Sequence, residues 1–259
     1  MANSQAFNPK KKKKINSDIN ISKKWQNTSW EFIKALGTAL ILALIIKASV
    51  VEAYVIPSGS MENTLYAGDY IVGNKFVYGM KLPIPFTDIR LPSIDEPKPN
   101  DIVIFKYPHN LNQNYIKRVV AIEGQIVEIR DKEVYVDGKH VPLPIEGKHA
   151  DKRIIPPQNP PEMGMTIRDN MPAIKVPMGK LFVMGDNRDN SADSRFWGFL
   201  DRKLVIGRAM LVLWSWEYQK PPPISTGAFS AVELWLYNIK HFPELAANMR
   251  WDRLGKITN

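Results

Sequence analysis

Cysteine is absent from the 259-residue chain, which excludes disulfides, thiolate metal sites and a cysteine nucleophile. Histidine is scarce, and no pair of histidines has the HxxxH spacing of a metal site; the chain contains only His109, His140, His149 and His241. We therefore expect no metal and no cofactor. Histidine is the most common general base, so a serine nucleophile in this chain would need a different proton acceptor.

Long apolar runs are also rare. Residues 35–46, "ALGTALILALII", carry no charge, and the apolar character extends over 32–51 if Lys34 and Lys47 are included. Lysines near the ends of a span can extend their stems to the interface, and a bilayer needs about 20 residues. We predict a transmembrane anchor at 32–51. A cleaved signal peptide fits less well, because Lys47 and Glu52 are poorly suited to its cleavage site; a buried core helix is the third interpretation.

Acidic residues are few in the first 31 positions, where seven lysines stand against Asp18 and Glu31, and the whole chain has a net charge of +9. A lysine cluster before an anchor places the N-terminus in the cytoplasm. We therefore predict a cytoplasmic basic tail at 1–31, an extracytoplasmic domain at 52–259, and a lipid bilayer as partner. The lysines would also suit a solvated disordered tail or a nucleic-acid arm, but we predict no nucleic-acid partner.

Beyond the anchor, short runs of β-branched and aromatic residues alternate with turn residues, which is typical of β-strands. Such runs occupy 69–79, 101–107, 115–122, 125–139, 179–185 and 203–214. The "RDKE" stretch at 130–133 would close a hairpin. We predict a mainly β fold, with an all-β extracytoplasmic domain of the sandwich or barrel kind behind the anchor. Residues 81–100 and 141–178 are interpreted as long loop insertions, and 226–259 as a short helical tail.

A pair of serines follows the anchor in "VIPSGSMENTL", residues 55–65. Pro57 biases the residue before it toward an extended conformation. If that conformation continues, Ser58 and Ser60 project to the same side of the chain. The same tripeptide is common in plain ST-turns. Glu62, close after the second serine, has no evident role in the sequence.

A lysine and a polar loop complete the set of motifs. In "YIKRVVAI", 115–122, strand alternation places Tyr115 and Lys117 on one face of the strand and Arg118 on the opposite face. Burial would lower the pKa of Lys117 and allow its neutral amine to act as a base; a strand lysine that reaches solvent is the alternative. The polar loop, "GDNRDNSADSRFWGFL" at 185–200, is predicted to be tightly hydrogen-bonded, and it lacks the glycine and glutamate of a calcium loop.

Together, the three motifs, in this order behind an anchor, resemble bacterial type I signal peptidase, also called leader peptidase, a membrane-anchored Ser/Lys endopeptidase. The resemblance spans roughly residues 35–214. It implies that Ser60 is the nucleophile, that Lys117 is the general base, and that Ser58 and the backbone N–H of Ser60 donate to the oxyanion. Supporting residues would be Ser191, which would orient the amine, and the pairs Asp186–Arg118 and Asp193–Arg195. The walls of pockets for small side chains would be Tyr54, Ile56, Met61, Leu65, Tyr115, Ile116 and Ala192.

The function implied by this resemblance is the removal of signal peptides from exported preproteins after Ala-x-Ala-like sites. It would proceed through an acyl-enzyme, without metal or cofactor. The implied location is the bacterial inner (plasma) membrane, with the N-terminus cytoplasmic and the catalytic domain on the periplasmic side. Two alternatives stay open at this point: a self-cleaving, repressor-type Ser/Lys protease, and a non-enzymatic, membrane-tethered β domain.

Overall fold

The computed structural model describes residues 30–39, 51–79, 92–156, 167–217 and 236–258. The chain divides into two compact units, Met1–Ala48 and Ser49–Asn259. In the first unit, residues 30–39 are helical, and Lys34 pairs with Glu31 at 2.7 Å. Within the described ranges, no helix is both long and apolar enough to cross a membrane. Residues 40–50 of the predicted anchor at 32–51 lie outside these ranges, and so does nearly all of the predicted basic tail at 1–31.

The second unit consists mainly of β-strands. They are β1 (Val51–Val55), β2 (Asp69–Asn74), β3 (Ile102–Tyr107), β4 (Asn110–Ile122), β5 (Ile126–Arg130), β6 (Glu133–Val136), β7 (Lys139–Val141), β8 (Met171–Lys175), β9 (Lys180–Met184), β10 (Leu200–Asp201) and β11 (Val205–Ser215). One sheet has the order β1-β2-β11-β3-β4-β9-β10, and a second has the order β7-β6-β5-β8. Neighbouring strands pair antiparallel throughout both sheets. The prediction of a mainly β fold is confirmed.

Buried apolar side chains fix both the sheets and the segment that follows β1. One cluster contains residues of β5 and β9, among them Val127 and Phe182, and so connects the two sheets. A second cluster combines side chains of β2, β3, β4 and β11 with Ile56, Met61 and Leu65. Full burial of one such side chain contributes about 1.5–3 kcal/mol. The chain on both sides of Ser60 is therefore held in place by the core.

The hairpin predicted at 130–133 is confirmed. Arg130 of β5 pairs with Glu133 of β6, and the two residues between them, Asp131 and Lys132, have φ angles of 48° and 73°. Positive φ at both central positions matches the twist of a two-residue hairpin, although it is uncommon outside glycine. Lys132 is buried, and its amine lies 2.8 Å from Asp189. The tip of the hairpin therefore holds the polar loop.

The predicted insertions contain more regular structure than the sequence indicates. Strand β8 lies inside the segment 141–178 and pairs with β5, so the interpretation of that segment as irregular is wrong at 171–175. The strand includes Pro172, and a proline within a run weakens a strand signal. In the other predicted insertion, 81–100, residues 81–91 lie outside the described ranges.

The predicted tail, 226–259, is helical only in part. Residues 236–240 and Phe242–Ala247 are helical, whereas the C-terminal segment, 249–258, runs beside β11 and forms backbone hydrogen bonds with it. Arg253 in this segment is buried and donates to Asp69 Oδ1 at 3.0 Å and to the carbonyl of Thr64 at 2.9 Å. The C-terminal segment thereby braces the chain that follows the serine pair.

Candidate active site

The serine pair lies where the chain leaves β1. Ser58 is extended, with φ −138° and ψ 159°, and Gly59–Met61 forms one turn of 3₁₀ helix, the serine turn. The extended conformation does not continue through Ser60, because the N–H of Glu62 donates to the carbonyl of Gly59 at 3.1 Å and closes the turn. The two hydroxyl oxygens are nevertheless 3.5 Å apart, so both face the same side.

Lys117 projects from β4 toward the serine turn. Its side chain is only 3% exposed, and Nζ donates to Ser60 Oγ at 2.7 Å and to the carbonyl of Ile116 at 3.0 Å. The ring of Tyr115 lies 5.4 Å from the amine. Burial lowers the pKa of Lys117 to about 8, while the carboxylates of Asp193 and Asp186 act in the opposite direction. About a tenth of the amine is therefore neutral at pH 7, far more than in an exposed lysine.

Arg118 points to the opposite side of the strand, as alternation predicts. Its guanidinium donates to both carboxylate oxygens of Asp186, at 2.8 and 2.7 Å, and to the carbonyl of Asn100 at 2.9 Å. Asp186 also accepts from the hydroxyl of Thr64 at 2.6 Å. Both members of the ion pair are buried. Asp186 thus fixes the polar loop to β4 and to the chain that follows the serine turn.

A second buried ion pair, Asp193–Arg195, stabilises the polar loop from within. Arg195 donates to the Asp193 carboxylate from Nε and Nη2, both at 2.8 Å. Asp193 also accepts from the N–H of Gly185 at 3.1 Å. Burial alone would raise the pKa of Asp193, but the Arg195 guanidinium and these hydrogen-bond donors lower it below its ordinary value. The carboxylate is therefore ionised, and it ties the two ends of the loop together.

Gly185 permits a close approach between the polar loop and the serine turn. A Cβ at this position would lie 2.4 Å from the carbonyl oxygen of Ser60 and 2.3 Å from Ser191 Oγ, closer than atoms pack. Ser191 is buried beside it. In the described part of the chain no hydrogen bond joins Ser191 to Lys117, so the orienting role expected of Ser191 stays a prediction.

Asn187 is a contact residue of the serine turn that the sequence did not reveal. Its backbone N–H donates to the carbonyl of Ser60, and its side-chain Nδ2 donates to the carbonyl of Gly59, each at 3.1 Å. It lies 128 positions from Gly59, so no local pattern indicates the contact. The carbonyls of two consecutive residues in the turn are therefore held by one asparagine.

This arrangement is suited to acyl transfer. A serine hydroxyl within hydrogen-bond reach of a buried amine has the geometry of an activated nucleophile and its base. In the parts of the chain that the structure describes, no group of three or more histidine, cysteine or carboxylate side chains is arranged to hold a metal ion. The reactive groups that the structure brings together at this site are Ser60 and Lys117.

A family model described as "Signal peptidase, peptidase S26" matches residues 29–214. The chain belongs to this family. Signal peptidase I of Pseudomonas aeruginosa is 35% identical over 212 residues, which cover 73% of this chain and 74% of the relative. Probable signal peptidase I-1 of Synechocystis sp. is 38% identical over 192 residues, covering 70% and 82%. A solved signal peptidase I from Enterococcus faecalis is 32% identical, covers 45% of this chain and 98% of its own, and gives a TM-score of 0.34.

Membership of the signal peptidase family makes the protein a serine endopeptidase. The residues expected to form its substrate pockets differ in exposure. Tyr54, Ile56, Met61, Leu65 and Ile116 lie in one apolar cluster beside the serine turn. Met61 and Leu65 are fully buried, so they support the turn from within. Ala192 is exposed, and Tyr115 stacks on Tyr107 with ring centroids 4.3 Å apart.

Proposed function

We propose that this signal peptidase family member removes N-terminal signal peptides from exported preproteins, cleaving after Ala-x-Ala-like sites. One observation carries the proposal: the buried amine of Lys117 lies 2.7 Å from the hydroxyl of Ser60. The match to the family model and the relatives named signal peptidase I support the substrate class. The repressor-type and non-enzymatic alternatives have no observation in their favour.

The first half of the proposed reaction forms an acyl-enzyme. Neutral Lys117 accepts the proton of Ser60, and Ser60 Oγ attacks the carbonyl carbon of the last residue of the signal peptide. The backbone N–H of Ser60 and the hydroxyl of Ser58 donate to the developing oxyanion. As the tetrahedral intermediate collapses, the C–N bond breaks and the protonated lysine delivers its proton to the leaving amine. The mature protein departs with a free N-terminus.

The second half releases the signal peptide. A water molecule gives a proton to Lys117 as its oxygen attacks the acyl carbon. The bond between that carbon and Ser60 Oγ breaks, and the serine oxygen recovers a proton from the lysine. Both halves need the amine to be neutral when it accepts a proton, and burial supplies that condition. No step requires a metal or a cofactor.

The remaining predicted residues are proposed to position these groups and the substrate. Asp186 with Arg118 and Asp193 with Arg195 hold the polar loop against the serine turn, and Ser191 is proposed to orient the amine. Of the residues predicted to form the substrate pockets, Tyr54, Ile56, Tyr115, Ile116 and Ala192 are proposed to contact small substrate side chains, and the fully buried Met61 and Leu65 are proposed to support that surface from beneath. Packing of Ile56, Met61, Leu65 and Ile116 in one cluster next to Ser60 supports this assignment.

We also propose a membrane-bound arrangement for the protein. It has a cytoplasmic basic tail at 1–31, an anchor at 32–51 and a periplasmic catalytic domain at 52–259. The charge-free run at 35–46 and the lysines before it support this topology. It would place the serine turn on the side of the bilayer where exported proteins emerge.

The function is tested by incubating the purified full-length protein, in detergent or vesicles, with a preprotein whose signal peptide ends in Ala-x-Ala. We expect one cut, directly after the second alanine, and no cut when that alanine is replaced by a large residue. Ser60→Ala and Lys117→Met should each abolish cleavage while the circular dichroism spectrum stays that of the wild type. Lys180→Met, which removes a partly exposed lysine paired with Asp201, is the matched control. Full activity in either active-site variant would refute the mechanism.

A further inference from the structure

Glu62 follows the serine turn directly, and its N–H closes that turn. Its carboxylate is partly exposed and contacts two residues. Oε2 lies 2.9 Å from Lys148 Nζ and accepts from Asn187 Nδ2 at 3.2 Å. The carboxylate thus lies between an ammonium group and the amide that holds the serine turn.

Lys148 comes from the segment 141–178, which the sequence suggested was only an insertion. Its backbone pairs with that of the polar loop. The N–H of Lys148 donates to the carbonyl of Asp186, and the N–H of Arg188 donates to the carbonyl of Lys148, both at 2.9 Å. These two bonds form a short parallel bridge opposite Asn187. Because the backbone of Lys148 is fixed to the loop, its side chain connects the loop to Glu62.

Asn187 converts this contact into a constraint on the nucleophile. The same Nδ2 group donates to Glu62 Oε2 and to the carbonyl of Gly59. If the amide were reversed, its carbonyl oxygen would face two acceptors, which is unfavourable. The Glu62 carboxylate therefore fixes the amide in the orientation that holds Gly59, and Lys148 fixes the carboxylate.

We infer that Glu62 and Lys148 form a positioning pair for the Ser60 nucleophile, acting through the amide of Asn187. The pair does not touch the reacting atoms, so its effect is on the geometry of the serine turn. A displacement of about 1 Å at a reacting group can reduce a rate by about 100-fold. Partial loss of this restraint should therefore reduce the rate by about tenfold. This inference rests on the proposed function only in taking Ser60 as the nucleophile.

The opposing possibility is that Glu62–Lys148 is an ordinary surface ion pair. The two side chains are 38% and 30% exposed, and pairs of that kind often contribute nothing measurable. The chain offers a matched control in Glu146–Lys256, at 3.2 Å with exposures of 46% and 35%. Glu146 lies in the same segment as Lys148. The side-chain partner of Glu146 is in the C-terminal segment and not in the serine turn.

The experiment compares Glu62→Gln, Lys148→Met, the double variant and the control Glu146→Gln in the full-length protein. Each is assayed for kcat and KM on the preprotein. Each is also assayed for the rate at which an activated ester acylates Ser60, followed by mass spectrometry. We expect both single variants to lose about tenfold in kcat and in acylation rate with KM unchanged. The double variant should be no slower than either single one, because both changes break the same link. Glu146→Gln should match the wild type.

Glu62→Ala adds a graded test, because it also removes the acceptor for Asn187 and should be slower than Glu62→Gln. Wild-type rates in the single variants, independent losses that multiply in the double variant, or a rise in KM alone would each overturn the inference. The acylation assay separates it from the proposed function. A protein that acylates at Ser60 but does not cut the preprotein would fail as a signal peptidase, and the positioning pair would still be tested.

Discussion

The amine of Lys117 and the hydroxyl of Ser60, 57 residues apart in sequence, are joined by a 2.7 Å hydrogen bond in the interior of the second unit. Burial makes this contact chemically useful. An exposed lysine has a pKa near 10.4 and is almost fully protonated at neutrality, whereas burial lowers the pKa of Lys117 to about 8. The same packing that hides the amine from water therefore allows it to accept a proton.

The rate of cleavage should depend on pH through this amine. In the proposed mechanism only neutral Lys117 accepts the proton of Ser60, so kcat/KM should rise about tenfold per pH unit well below pH 8 and level off above it. A pH–rate profile of preprotein cleavage between pH 5.5 and about 10 measures this directly. A rate that does not change across the pKa of the amine would be incompatible with a lysine base.

Removal of the amine should stabilise the protein at neutral pH. The pKa of Lys117 is lower in the folded state than the ordinary value of 10.5, so between about pH 8 and 10.5 the unfolded state binds more protons, and stability rises with pH. The free-energy cost of burying the charged amine in the folded state is fully present below pH 8. Lys117→Met should therefore raise the free energy of unfolding at pH 6.5, on the order of 1–3 kcal/mol. Its advantage should shrink as the pH approaches 10.5.

Paired denaturant titrations of the wild type and Lys117→Met at pH 6.5 and 10 test this difference. A common change of both proteins with pH cancels in the comparison. Equal stabilities at both pH values would show that burial of the amine carries no cost, and would therefore contradict a lowered pKa.

Loss of the Ser58 hydroxyl should slow the chemical step. Ser58 Oγ lies 3.5 Å from Ser60 Oγ on the same side of the chain, and removal of one oxyanion donor typically costs about 10²- to 10³-fold in kcat. Ser58→Ala should show that loss with little change in KM, since the hydroxyl acts on the transition state. Steady-state kinetics on the preprotein provide the measurement, and an unchanged kcat would remove Ser58 from the mechanism.

Gly185→Ala should displace the nucleophile without removing any catalytic group. The added methyl would lie 2.4 Å from the carbonyl oxygen of Ser60, and this backbone atom cannot rotate away as the Ser191 hydroxyl can. We expect kcat to fall by about 100-fold, with a cooperative unfolding transition retained. Gly37→Ala is the comparison, because an added Cβ there would meet no other atom within 4 Å. Equal activities of the two variants would contradict this account of Gly185.

Local sequence patterns, namely the two-residue alternation of strands and the turn residues between them, predicted much of the fold and part of the site. Strand alternation placed Lys117 and Arg118 on opposite faces, and the structure gives them Ser60 and Asp186 as separate partners. The turn residues at 130–133 predicted the hairpin, although not that Lys132 would hold Asp189 in the polar loop. Such patterns predict structure because they reflect local backbone geometry, which neighbouring residues largely determine.

The contacts that complete the site could not be predicted in this way. The serine turn bends because the backbone of Asn187 and the core hold it there, although Pro57 favours extension. Lys148 reaches Glu62 because its backbone pairs with the polar loop. Each contact joins residues far apart in sequence, and no local pattern indicates which residues meet. Glu62 therefore had no evident role until its neighbours in space were known.

The bond between Arg253 and Asp69, which braces the chain after the serine turn, spans 184 residues. Contacts between residues so far apart form slowly during folding, because closing the long loop between them costs entropy before the contact contributes any stabilising free energy. Before that closure, Asp69 and the carbonyl of Thr64 lack the guanidinium that holds them. A chain trimmed before Arg253 would therefore leave the buried Asp69 carboxylate without that charge partner, which is strongly destabilising.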